Sequence, residues 1–296
     1  MNDILDVILI RILFILIIVG LIFLYKYAHF FLYPTSKQQI FKRFFPSQNP
    51  AETILLFSRI LGLGLIFSKF NIFLNQGFYF AAFDFILSSS ITFALYLLSI
   101  YVLESIVLSN FEYLEEIKRK INFPYALVSA SFSIGLPIIF RSYLRHSVYD
   151  YSHNIIYIIF MWSFTIVLLG FAVKSYPLVS KLNFETLLDK KSMALGLSYF
   201  GFFIAWTIII ASALDQPIQD LKKYGFNLIL RMILSLLIFP LFKNILKFIY
   251  QIQDDLENTN SETKSDIPSF GYGIYEGIMF LTSAYMTTLV TSNIIF

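Results

Sequence analysis

Cysteine is absent from the 296 residues. Its absence excludes disulfides, thiolate nucleophiles, cysteine-ligated metal and a cysteine-linked lipid anchor. Charge is also scarce: Asp, Glu, Lys and Arg make up 14% of the chain, where a soluble domain carries about a quarter. Histidine occurs only at His29, His146 and His153, too few and too scattered for a His-Glu-x-x-His zinc site. No Ser-His-Asp set, Gly-rich phosphate loop or paired intramembrane aspartate is present, so neither enzyme activity, a cofactor nor a metal is expected. His146, Asp150 and His153 would share a face if their segment were helical, a metal-like spacing that a solvated turn between halves explains equally well. The net charge of +3 is small and gathers at the ends of apolar runs, so nothing points to nucleic acid.

Apolar residues dominate instead: 57% are hydrophobic and the mean hydropathy is +0.72. They fall into runs of about 20, the length that crosses a hydrocarbon layer of about 30 Å as a helix. The fold class expected is therefore all-α, a polytopic transmembrane bundle. Runs at 4–28, 51–73, 79–104, 124–144, 152–174, 192–214, 224–249 and 271–293 give about eight spans, bounded by Pro46, Pro50, Pro124, Pro177, Pro217 and Pro268. The first run follows Asp3 and Asp6, not a basic cluster, and no small-residue cleavage site follows it; it is expected to be a retained helix, not a signal peptide. Lys and Arg concentrate in the odd-numbered loops. The positive-inside rule then places the loops at 30–50, 105–123, 175–191 and 250–270 in the cytoplasm of a cell (inner) membrane protein, with both termini outside. Tyr79, Tyr101, Tyr143, Tyr149, Tyr151 and Tyr250 fall near span ends as an interfacial belt. The acidic segment 251–269, with Asp254, Asp255, Glu257, Glu262 and Asp266, is either a docking site for a cytoplasmic protein or a plain hydrophilic loop. The bilayer is the one partner the composition requires.

The chain repeats itself. Asn49, Ser58, Gly62, Leu63, Ile66 and Phe67 recur as Asn122, Ser131, Gly135, Leu136, Ile139 and Phe140, all displaced by 73 positions. A helix pair is the unit, and about four units fill the sequence. Two four-helix halves, 1–146 and 147–296, follow. An even number of helices per half gives both the same orientation, related by an axis along the membrane normal.

Asn49-Pro50-Ala51 ahead of a small-residue helix with Gly62, and further small-residue helices around Gly135, Gly201 and Ser283-Ala284, resemble the uncharacterised YjfL-like inner-membrane proteins. That family is classed under a domain of unknown function built of tandem helix pairs. The resemblance implies that each half corresponds to one whole family member. It supplies no catalytic residues. The ATP-grasp ligase-like and phage-shock-like proteins often encoded beside such members imply an envelope-stress setting.

Charges inside spans are costly unless paired or wetted, so they mark the candidate positions. Asp84 and Arg231 stand 147 apart, at equivalent places in the third and seventh helices; they either pair across the halves or snorkel separately to water. Arg59 lies about 12 Å into the second helix and needs a partner, with Glu276, Glu52, lipid phosphate or a water cleft as candidates. Glu276, Ser283, Thr287 and Thr291 share one face of the last helix. That stripe either lines a polar path or packs against a neighbour, as Gly273-x-x-x-Gly277 on the same helix suggests. Two functions remain open: a membrane scaffold or envelope-associated component, and an ion or small-solute channel or transporter with a route between the halves. Under the scaffold reading, Arg59→Leu is expected to be neutral or stabilising.

Overall fold

The computed structural model describes residues 2–32, 46–68, 70, 77–144, 151–216, 221–252 and 268–292. The helices are α1 (Asn2–Leu32), α2 (Pro50–Phe67), α3 (Phe78–Val107), α4 (Phe123–Leu144), α5 (Tyr151–Lys174), α6 (Tyr176–Val179), α7 (Phe184–Asp189), α8 (Met193–Leu214), α9 (Leu221–Ile249) and α10 (Phe270–Ser292). A π-helical turn, Leu114–Arg119, joins α3 to α4. Among the described residues there are no strands, and seven helices (α1, α2, α3, α4, α5, α8 and α9) are long and apolar enough to cross a membrane. α10 matches them in length, but Glu276 and its run of Ser and Thr lower its hydropathy. The second span ends at Phe67, six residues before the apolar run does, where Ser68 turns its hydroxyl onto the Leu65 carbonyl. The short helices α6 and α7 fill a loop whose sequence carries no periodic signal.

The start signals are local. Asn49 accepts a hydrogen bond from the Glu52 amide, Pro50 occupies the first turn of α2, and Glu52 meets the positive end of the helix dipole. Asn122 and Ser269 accept likewise from the Tyr125 and Tyr272 amides at the heads of α4 and α10. Phe123 and Phe270, the first residues of those two helices, stand 147 apart, so the register between the halves holds to the residue over this stretch.

The most extensive contacts join α2 to α4, α4 to α8 and α8 to α10. In each contact the residue numbers rise together: Arg59 and Gly62 meet Ser129 and Ser133, Pro124 and Gly135 meet Gly196 and Phe203, and Ala194 and Gly201 meet Gly273 and Gly277. The four helices therefore run parallel in one inner row, each the second member of a repeated pair. α1, α3, α5 and α9, the first members, form the outer layer and leave large apolar side chains such as Leu16, Phe83, Phe171 and Leu237 exposed to lipid.

Lipid tails are as apolar as leucine, so packing and small residues hold such helices together. A Cβ on Gly273 would lie 2.4 Å from the Ala194 Cα, and one on Gly201 would lie 2.4 Å from the Gly277 Cα. Backbone meets backbone there, which only glycine permits. At the α2–α4 contact the same device serves a polar group. Pro137 lacks an N–H, which frees the Ser133 carbonyl one turn earlier. The Tyr96 hydroxyl of α3 donates to that carbonyl at 2.9 Å, and Gly62 leaves the room for it.

Candidate functional site: two buried charge clusters

Each half encloses one cation–carboxylate cluster near the side of the odd-numbered loops. In the first, Arg59 of α2 is fully buried. Its Nη2 lies 2.7 Å from Glu104 Oε1 of α3 and 3.4 Å from Ser129 Oγ of α4, while Nη1 donates to the Tyr25 hydroxyl of α1 at 3.4 Å. Ser129 also donates to Glu104 Oε1. Four helices thus converge on one guanidinium, with a charge-assisted bond at the centre.

In the second cluster Lys243 of α9 holds its Nζ 3.4 Å from Glu276 Oε1 of α10, donates to the Val179 carbonyl and sits 4.3 Å from the centre of the Phe280 ring. Glu276 Oε2 accepts from Ser180 at 2.9 Å and from Ser198 of α8. Tyr176 bonds Ser198 at 2.9 Å; burial, aided by the Glu276 charge, pushes its phenol up, so it stays neutral. The halves use equivalent slots. Lys243 and Tyr96 stand 147 apart, as do Glu276 and Ser129. The same two places hold a phenol and a hydroxyl in one half, an ammonium and a carboxylate in the other.

The candidate pair Arg59–Glu276 does not form. α4 and α8 stand between α2 and α10, so each charge finds a neighbour within its own half. Glu52, the other carboxylate considered for Arg59, binds Lys118 instead. The candidate pair Asp84–Arg231 does not form either. Asp84 is exposed on α3 and accepts from Ser88 at 3.4 Å; Arg231 is half-buried on α9, with its Nε buried and unbonded. α5 lies between, since its Trp162 donates to Ser99 of α3 and it packs against α8, the helix that α9 also contacts. Ser283, Thr287 and Thr291 are buried with Glu276, and each hydroxyl donates to the carbonyl four residues back, on Met279, Ser283 and Thr287 respectively. The stripe lies in the α8–α10 contact region and is satisfied by its own helix.

Between the clusters, on the odd-loop side, Asn122 locks the halves together. Its Nδ2 donates to Glu116 at 2.7 Å and to the Leu188 carbonyl at 3.0 Å. Lys120 binds Glu116 at 2.8 Å, a bond that raises the affinity of the amine for its proton, and reaches toward Asp189 at 3.8 Å. Lys191 donates to the Lys120 carbonyl at 2.7 Å. Burial, and next the Glu52 charge, push the Tyr113 phenol up, keeping it protonated under this belt.

Glu104, Lys243, Ser198, Tyr25 and Ser180 are among the members that sequence reasoning misses. Glu104 and Lys243 fall within a turn or two of span ends and look like ordinary interfacial charges. The available signal was the 147-residue offset, which sets Lys243 opposite Tyr96 and Glu276 opposite Ser129. No group of three or more His, Asp or Glu side chains able to hold a metal occurs among the described residues. His146 and Asp150, and the side chain of His153, lie outside the described residues.

Fold and clusters define a multi-pass α-helical membrane protein with an internal duplication and a buried cation–carboxylate pair in each half. The chain belongs to the family described as Domain of Unknown Function (DUF350), whose family model matches it twice, over residues 3–147 and 150–290. No curated protein and no solved structure matches it.

Proposed function

We propose that this chain is a membrane scaffold or assembly component of the cell (inner) membrane, working in an envelope-stress setting, and not a conduit. The observation that carries this reading is the local closure of the buried charges: Arg59 on Glu104, and Lys243 on Glu276, each within hydroxyl groups of the same half. A route between the halves through the inner row would use the α4–α8 seam. Phe132 packs there against Phe203 and Tyr199, with ring centres 4.8 and 6.2 Å apart, which leaves the seam aromatic and tightly filled. Polar groups so arranged contribute to specifying which helices meet, a use attested for buried polar residues elsewhere. The envelope-stress setting rests on the resemblance stated above and the cytoplasmic placement of the odd loops on the Lys/Arg bias.

Purified protein in proteoliposomes tests the reading. Gradients of H⁺, Na⁺, K⁺ and Cl⁻, with and without an imposed voltage, are expected to decay at the rate of empty liposomes. Flux above that rate which Glu104→Gln or Glu276→Gln removes, with the fold intact by circular dichroism, would establish the channel or transporter instead.

A further inference from the structure

We propose that two copies of this chain pair through their outer layers about a twofold axis along the membrane normal, Asp84 of each copy bonding Arg231 of the other. Asp84 lies about 9 Å into α3 and Arg231 about 15 Å into α9, both counted from the even-loop side. Both helices are about 45 Å long, more than the hydrocarbon layer of about 30 Å, so Arg231 lies within that layer and Asp84 at its edge, where an unmatched charge is costly. The arginine side chain is long enough to bridge the difference in depth by reaching toward the surface.

The two groups flank α5. Asp84 shares a flank of α3 with Ser88, to which it bonds, and with Ser99, which receives the Trp162 indole of α5. Arg231 lies two turns below Tyr224 on the same face of α9, and Tyr224 donates its hydroxyl to the Leu214 carbonyl of α8, the helix against which α5 also packs. Within one copy the width of α5 separates them, because neighbouring helix axes stand about 8–10 Å apart and the pair would have to span two such steps. A second copy turned by 180° about an axis just outside α5, between the two copies' α5 helices, brings each α3 beside the other copy's α9. Both ion pairs then form at once, which is the self-complementarity of an isologous interface. The surface between them suits that contact: Ile156, Phe160, Val167 and Phe171 of α5 are bulky, apolar and exposed, as are Phe80 and Phe83 of α3 and Ile229 and Ile233 of α9. The charges would supply register and the apolar faces the area. This inference does not depend on the assembly reading above, since a conduit could dimerise in the same way.

The natural absence of cysteine makes the test direct. Two differently tagged full-length copies, one D84C and one R231C, are co-expressed and treated in native membranes with a short bismaleimide. A heterotypic cross-linked dimer is expected, without cross-linking of D84C to D84C or from Ile15→Cys on α1. D84R or R231D alone should weaken dimerisation in lipid nanodiscs roughly tenfold, and D84R/R231D should restore it. R11Q, which alters the exposed arginine of α1, should leave dimerisation unchanged. The variants' monomer melting in detergent should change far less than their dimerisation, since Asp84 is exposed and Arg231 only half-buried. The proposal is overturned by absence of the heterotypic product, by dominant 84–84 cross-linking, by capture of a different protein, by a monomer in native membranes, or by a double variant as weak as the singles.

Discussion

Replacing Arg59 with leucine removes one member of a buried pair and leaves Glu104 in a site that is 7% exposed, where Ser129 still donates to it. Breaking a buried pair from one side costs about 3–5 kcal/mol. Arg59→Leu should therefore destabilise the protein by about 3–5 kcal/mol. Arg59→Leu with Glu104→Met removes both charges at similar volume and should return to wild-type stability or exceed it. The neutral outcome expected from sequence for Arg59→Leu alone thus applies to the pair, because Glu104 was the unseen partner. Equilibrium unfolding in mixed micelles, followed by circular dichroism, measures both. A single variant as stable as wild type, or a double variant as unstable as the single, would refute the reasoning.

Lys243→Met should cost about 3 kcal/mol, and adding Glu276→Gln should recover most of it, giving a coupling above about 1.5 kcal/mol in a double-mutant cycle of melting measurements. Gly273→Ala and Gly201→Ala force backbones apart and should each lose about 1–3 kcal/mol, whereas Gly20→Ala and Gly170→Ala, with nothing within 4 Å of the added carbon, should not destabilise; thermal shift assays separate the two groups. Reporter fusions at Phe296 should be active only outside the cytoplasm, and cytoplasmic activity there would overturn the orientation drawn from the Lys/Arg bias.

The membrane class, the length of most helices and the helix-pair repeat were legible because each is written in runs of about 20 apolar residues or in small residues at fixed offsets. Gly62 shows how far such a signal reaches. Its recurrence as Gly135 marks a close approach, but only the structure shows that the Tyr96 hydroxyl enters there to serve the carbonyl that Pro137 frees. Charge pairing was not legible, because it depends on which helices are neighbours. Arg59 and Glu276 look complementary in sequence, on the same side with Glu276 the shallower, until the row order puts α4 and α8 between them. Asp84 and Arg231 look complementary until α5 stands in the gap. α10 was legible as a helix and its stripe as one face, but the i to i−4 bonding of Ser283, Thr287 and Thr291 is a matter of rotamers.

Whether the buried polar stripe is dry is the point on which the scaffold reading turns, and the cysteine-free chain allows it to be asked one residue at a time. Single cysteines at Ser129, Ser198, Ser283 and Thr287, in right-side-out and inside-out membrane vesicles, can be challenged with a membrane-impermeant maleimide and compared with one at exposed Arg119. The packed inner row predicts full labelling at position 119 from one side and no labelling at the four buried positions from either. Labelling at positions 283 and 287 at rates near that of 119 would mean that water runs along α10, and would contradict the scaffold reading in favour of a conduit.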